Sequence, residues 1–185
     1  MKPSTIWTIG HSTRPIEEFI GWLKTHGVEC LVDVRAIPYS RRHPQFHTSA
    51  LSTSLKKTGI EYHHLPSLGG RRKSHVESPN SGWRNAGFRG YADYMQTQDF
   101  WTGLENLMEI GQQIRTVIMC AEAVPWRCHR SLIADALVSR GWTVRHILSP
   151  TKADSHVMTS FARIEHGKIH YPAETMTDFS PPLFD

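Results

Sequence analysis

The sequence predicts an α/β fold: a three-layer α/β/α sandwich built on a five-stranded, mainly parallel sheet, with a small C-terminal hairpin. Three observations predict it. Short apolar runs alternate with stretches of helical periodicity, the pattern of strand–helix–strand units. The runs Cys30-Leu31-Val32 and Val117-Ile118-Met119 are continuous rather than alternating, as strands buried on both faces are. Polar residues recur where the runs stop: His11-Ser12, Asp33 with Arg35, His64, and Cys120 with Glu122. In open parallel sheets that carboxyl edge is where ligands bind.

The elements follow in order. Ile6–Ile9 reads as a strand ending at Gly10-His11-Ser12. Pro15 fits the first turn of the next helix, with Thr13 as its cap. Phe19, Ile20 and Leu23 form its apolar stripe, and His26-Gly27 stops it. Cys30–Arg35 and Ile60–Leu65 are the next two strands. Tyr91–Met95 and Phe100–Gln113 are helical. Thr116–Cys120 is the fourth strand, and Trp126–Arg140 a helix burying Leu132, Ile133, Ala136 and Leu137. Thr143–Leu148 is the fifth strand. Beyond it, Glu165-His166-Gly167 turns a hairpin, and the stretch through Pro181-Pro182 reads as an extended, mobile tail. The boundaries drawn are an α/β domain over 1–150, and a hairpin with its tail over 151–185. Two connections are long, Ala36 to about Leu51 and Pro66 to Gly90. Loops of that length inside a compact domain are usually functional or disordered.

With 185 residues, 39% hydrophobic and 21% charged, the composition is that of a globular protein with a real core. No apolar run approaches the roughly 18 residues of a membrane helix. The N-terminus runs straight into a strand pattern with no signal-peptide core, so a cytoplasmic protein is expected. Three cysteines in that compartment argue against a disulfide framework. Cys30 reads as a small buried hydrophobe. A formal charge of +4 and a pI near 9.1, with clusters at Arg41-Arg42 and Arg71-Arg72-Lys73, point to an anionic partner, either a small molecule or nucleic acid.

The densest chemistry lies in TVIMCAEAVPWRCHRSL, where Cys120, Glu122, Arg127, Cys128, His129 and Arg130 gather between a strand and a helix start. Helix N-termini attract anions and lower thiol pKa values. Cys128 is expected in the first helical turn. The candidate catalytic residues are Cys120, Cys128, His129 and Glu122. The candidate substrate-binding residues are His11, Ser12, Asp33, Arg35, Arg41, Arg42, His64, Gly69, Gly70, Arg71, Arg89, Tyr91, Arg127 and Arg130. Asp33 is equally an ion-pair partner for Arg35. Arg41-Arg42 beside Phe46 suit a phosphate and a stacked base, and Gly69-Gly70 permit close backbone approach. Cys120, Cys128, His129 and His64 are ligand types that zinc takes, but the cysteine spacing matches no short zinc motif, and no cofactor is predicted.

The segments TIGHSTR, LVDVRAIPYSRRHPQF, GIEYHHLPSLGGRR, FRGYADYM and VIMCAEAVPWRCHRSLIADAL, in this order, resemble the bacterial family named domain of unknown function 488. That family implies a fold and a site but brings no settled activity. More distantly, LVDVR followed by a strand-Cys-loop-helix is similar to rhodanese domains and cysteine phosphatases. Here six residues separate Cys120 from Arg127, and the loop between them has no glycine.

The function expected from the residues is a cysteine-dependent enzyme acting on an anionic, phosphorylated or nucleotide-like substrate at the sheet's carboxyl edge. The alternatives are a nucleic-acid-binding or nucleic-acid-modifying module, and a rhodanese-like sulfurtransferase or phosphatase. No membrane partner is expected.

Overall fold

A computed structural model describes residues 4–173; the expected tail through Pro181-Pro182 lies outside them. The strands are β1 (Thr5–Gly10), β2 (Cys30–Asp33), β3 (Glu61–His64), β4 (Thr116–Cys120), β5 (Thr143–Ile147), β6 (Ala153–Ser155), β7 (Arg163–Glu165) and β8 (Lys168–His170). The helices are α1 (Ile16–Thr25), α2 (Thr48–Lys56), α3 (Ala86–Tyr94), α4 (Gln98–Gln113) and α5 (Arg130–Ser139).

The fold class is the one the sequence predicts. The main sheet has the order β3-β2-β4-β1-β5-β6. Its first five strands pair in parallel, and β6 adds a sixth, antiparallel to β5 at the edge. Side chains alternate between the two faces. On one face Trp7, Ile9, Leu31, Val117 and Met119 pack against Phe19 and Leu23 of α1 and Leu51 and Leu55 of α2. On the other, Ile6, Val32 and Ile118 meet Tyr91 of α3, Phe100 and Leu104 of α4, and Leu132 and Ile133 of α5. Each such side chain, once buried, contributes roughly 1.5–3 kcal/mol of transfer free energy.

Local differences from the expected elements have physical causes. Pro15 is itself the N-cap residue of α1, and no side chain caps that helix. A turn closed by the Arg14 N–H on the His11 carbonyl leaves Thr13 exposed and off the helix. The first long connection ends in α2, which starts at Thr48 and runs on past Leu51 to Lys56, and whose Ser/Thr-rich sequence hides the helix. Its leucines at positions 51 and 55, four apart, give it a buried stripe. The helix expected from Trp126 is broken. Pro125–Arg127 form a separate 3-10 turn, Cys128 is extended (φ −137°, ψ 144°), and α5 begins only at Arg130.

The small sheet pairs β7 with β8. His166 (φ 49°) and Gly167 (φ 75°) form its turn, both left-handed as a tight two-residue hairpin requires. Ile169 and Tyr171 are buried in the core beside α3 and α5. No helix among the described residues is long and apolar enough to cross a membrane.

Candidate functional site

Strand register brings the polar strand ends together. Gly10 lies opposite Cys120, and Asp33 lies opposite both Met119 and His64. β1 is followed by α1 on one face and β4 by α5 on the other, so the sheet's switch point falls between these two neighbouring strands. A Cβ on Gly10 would collide with the Glu122 carbonyl, so the absence of a side chain there lets the segment after Cys120 fold down over β1. Above this point opens a cleft of about 550 Å³. Its walls include His11, Ser12, Arg35, Gly70, Arg71, Cys120, Glu122 and His129, all read from the sequence as site residues. Ser12 (φ 51°) and Arg71 (φ 60°) hold left-handed backbone without being glycine, the kind of local strain that concentrates at functional sites.

The two sulfurs and one imidazole form the floor. The donor atoms of Cys120, Cys128 and His129 lie within 4.8 Å of one another. His129 Nδ1 is 4.0 Å from the Cys120 sulfur and 3.7 Å from that of Cys128. Its Nε2 is 3.0 Å from the Val34 carbonyl, which only accepts, so Nε2 carries a proton and Nδ1 faces the sulfurs. The break before α5 gives His129 this reach. Gly70 passes close by; a Cβ there would sit 2.9 Å from Nδ1.

Cys128 is buried, while Cys120 is half-buried and opens to the cleft. All three cysteines are free thiols. The Cys128 thiol is held well below the ordinary thiol range. The main cause is the neighbouring Cys120 thiol, with His129 and the Arg130 guanidinium adding to it against the opposing effect of burial. Arg130 Nε–H reaches the Cys128 sulfur at 3.3 Å. Cys120 is pushed well above the ordinary range by the neighbouring Cys128 sulfur and by burial. The two thiols are therefore unequal, Cys128 being the more readily ionised and Cys120 the less. Cys30 is different: burial raises it to about 12, as expected of a packing residue.

A second set of groups braces the wall. Arg35 forks onto Asp33 through Nε (2.9 Å) and Nη2 (2.6 Å) and also donates to the Phe46 carbonyl at 2.8 Å. Tyr62 Oη donates to the same carboxylate at 2.9 Å. Asp33 is thus an ion-pair partner beneath the cleft. His11 Nδ1 donates to the Ser12 carbonyl at 2.8 Å, and its ring stacks on Phe46 with centroids 4.2 Å apart. Burial lowers its pKa to about 4.

The remaining expected residues stand elsewhere. His64 donates from Nε2 to the Arg35 carbonyl at 2.8 Å and fixes the loop rather than facing the cleft. Tyr91 is buried, with its hydroxyl on the Leu68 carbonyl at 2.8 Å and its ring 4.9 Å from that of His129. Gly69 is buried where a Cβ would meet Ala36 at 2.8 Å. Arg41, Arg42 and Arg127 are exposed, and neither they nor Arg89 line the cleft. Cys128 is not in the first helical turn but two residues before α5. Arg130 is the first residue of α5 and is buried under the floor. Sequence reasoning missed Ile37, Tyr39, Ser40 and His43, which supply the wall from the first long connection. Arg41 and Arg42 stand out in that connection by charge, whereas these neighbours line the cleft, Ile37 and Tyr39 on its exposed rim.

The cleft also has features suited to an anion. Arg71 stands exposed on its rim. Among the described residues, no carbonyl accepts from the backbone N–H groups of Glu122 or Ala123 on the wall beside Cys120. For a metal, the geometry offers three donors, Cys120, Cys128 and His129, with the sulfur and nitrogen chemistry that zinc takes. A larger hollow of about 680 Å³ along α2 and β3 includes none of these residues.

Fold and site together define a parallel α/β protein with a polarised thiol pair at the carboxyl edge of its sheet. The chain belongs to the family described as domain of unknown function DUF488, whose model matches residues 15–137. A search of curated proteins finds no match, and a search of solved structures finds none either.

Proposed function

We propose that the protein is a thiol-dependent enzyme acting on an anionic substrate bound in the 550 Å³ cleft. The observation that carries this reading is the unequal thiol pair: one sulfur faces the cleft, and its buried partner accepts the Arg130 Nε–H, which favours ionisation there. Cys120 is the attacking atom. As its sulfur bonds to an electrophilic atom of the substrate, the bond from that atom to its leaving group breaks and the electron pair departs with that group, while the Cys120 proton passes to Cys128, with His129 Nδ1 at 4.0 Å as a second acceptor. The thiolate is the reactive form of a cysteine, and a neighbouring base activates it. Arg71 and the N–H groups of Glu122 and Ala123 hold the anionic part of the substrate. Asp33 and the His64 side chain act indirectly, by fixing Arg35 and its loop.

The test is protection. Purified protein is treated with iodoacetamide in the presence of inorganic phosphate, nucleotides or phosphorylated metabolites, and modification of each cysteine is followed by mass spectrometry. At least one anion is expected to slow Cys120 modification, and Arg71→Ala to weaken that protection. If no anion protects Cys120 or raises the melting temperature, the reading fails.

Exposed Arg41 and Arg42, on the same connection as wall residues Tyr39, Ser40 and His43, favour a second reading in which the anion is part of a nucleic acid. That reading requires binding that weakens steeply as salt rises.

A further inference from the structure

A line of hydrogen bonds runs away from the thiol pair on the side opposite the cleft. Arg130 Nη1 donates to Thr8 Oγ1 at 3.4 Å. Thr8 Oγ1 is 2.7 Å from His146 Nδ1, His146 Nε2 is 2.9 Å from His156 Nδ1, and His156 Nε2 is 2.8 Å from Asp135 Oδ1. Arg130 can only donate and an ionised Asp135 can only accept, so with both imidazoles neutral the chain has one consistent polarity. The Thr8 hydroxyl donates to His146, His146 donates from Nε2 to His156, and His156 donates from Nε2 to Asp135. Thr8, Arg130, His146 and Asp135 are all buried. Asp135 is further fixed by the Thr159 N–H at 3.0 Å and the Tyr171 hydroxyl at 2.9 Å. The outer end touches solvent at a separate hollow of about 430 Å³, lined by His146, His156, Trp126 and Val157.

We propose that Thr8, His146, His156 and Asp135 form a positioning relay that holds the Arg130 guanidinium with its Nε–H on the Cys128 sulfur. The proposal deepens the thiol-enzyme reading and rests on it. A guanidinium buried at 1% exposure carries a heavy desolvation cost unless it is paired and hydrogen-bonded. Among the described residues, Arg130 contacts no carboxylate directly. Its Nη2 rests on the Glu122 carbonyl at 2.6 Å, Nε on sulfur and Nη1 on the relay, which ends at the Asp135 carboxylate. With Nη1 and Nη2 both fixed, the guanidinium plane is fixed, and Nε–H has one direction left, toward Cys128. The other groups acting on that sulfur are Cys120, His129 and Tyr91, and the Arg14 guanidinium is a further cation close enough to repel Arg130. Of these, Arg130 alone is tied to the relay.

Two measurements test it. Thr8→Val removes the hydroxyl and keeps the shape. It is expected to move the pH midpoint of thiol alkylation upward by about one unit, a tenfold loss of thiolate below the midpoint. Thr8→Ser is expected to retain the wild-type midpoint. Tyr171→Phe removes a hydrogen bond to Asp135 outside the line and is expected to lower the melting temperature without moving the midpoint. A folded Thr8→Val protein with an unchanged midpoint overturns the proposal. Should Thr8→Val fail to fold, His156→Leu at the solvent end carries the same expectation and the same refutation. The second measurement is the imidazole nitrogen spectrum, in which both His146 and His156 are expected as Nε2–H tautomers. A proton on Nδ1 of either neutral ring overturns the relay. If the wild-type thiols titrate as ordinary thiols, the enzyme reading falls, while the tautomers still decide the relay.

Discussion

His11 and His146 are expected to make the protein sensitive to acid well above the carboxylate range. Burial is the largest influence on each and lowers both to about 4 from an ordinary 6.5. His11 donates to the Ser12 carbonyl and stacks on Phe46, with Arg35 Nη1 3.4 Å from its Nε2. His146 sits between Thr8 and His156. Neither site has room for a second ring proton without losing a partner. In the unfolded chain both take up a proton near pH 6.5. The folded pKa is depressed, so stability is full above 6.5 and falls as pH drops from there toward 4, where the loss levels off. Between pH 7 and pH 5 the unfolded chain gains about 2 kcal/mol from protonating each ring, while the native state gains almost nothing. Urea unfolding at the two pH values measures the loss. His11→Gln is expected to lose about 2 kcal/mol less than wild type across that interval. Equal pH dependence of the two proteins would refute the reasoning, as would a His11 ring that titrates near 6.5 in the native state.

Two further predictions concern the frame of the cleft. Asp33→Asn leaves the buried Arg35 without its ionic partner and weakens the Tyr62 contact, so a loss of about 3–5 kcal/mol is expected in chemical denaturation; a loss below 1 kcal/mol would contradict the buried fork. Gly10→Ala places a methyl group on the Glu122 carbonyl, so the segment after Cys120 must lift. Thermal melting is expected to fall and Cys30 to remain unreactive, while an unchanged melting temperature would show that the close approach is absent.

Much of the fold is legible because the strands are continuous apolar runs, and their polar ends name the rim directly: His11, Asp33, Cys120. The register that makes these ends converge follows from parallel pairing, which the alternation of elements predicts. What stayed hidden depends on tertiary contact. α2 has a composition that favours turns, and two leucines hold it in place. The break at Cys128 follows from no local signal, because it is the pull of the Val34 carbonyl on His129 and of the sulfur on Arg130 that competes with helix continuation. The arginines at positions 41, 42 and 127 stand out by charge and by their neighbours, Phe46 and the strand–helix junction, and neither says which way a loop residue turns. The relay joins residues far apart in sequence. Its one local sign is Asp135, an acid in the apolar run Leu132-Ile133-Ala134-Asp135-Ala136-Leu137. A buried face seldom carries an unpaired charge.

The most direct test of the thiol pair is the pH profile of alkylation, resolved by residue, in wild type and in Cys128→Ser. The account predicts that Cys120 is modified with the midpoint of the pair's shared ionisation, which Cys128 as proton acceptor sets below the free-thiol value of about 8.5, that this midpoint moves upward when the acceptor is lost in Cys128→Ser, and that Cys30 does not react. Slow modification of every cysteine, or a Cys120 midpoint near 8.5 that ignores the loss of Cys128, would contradict it.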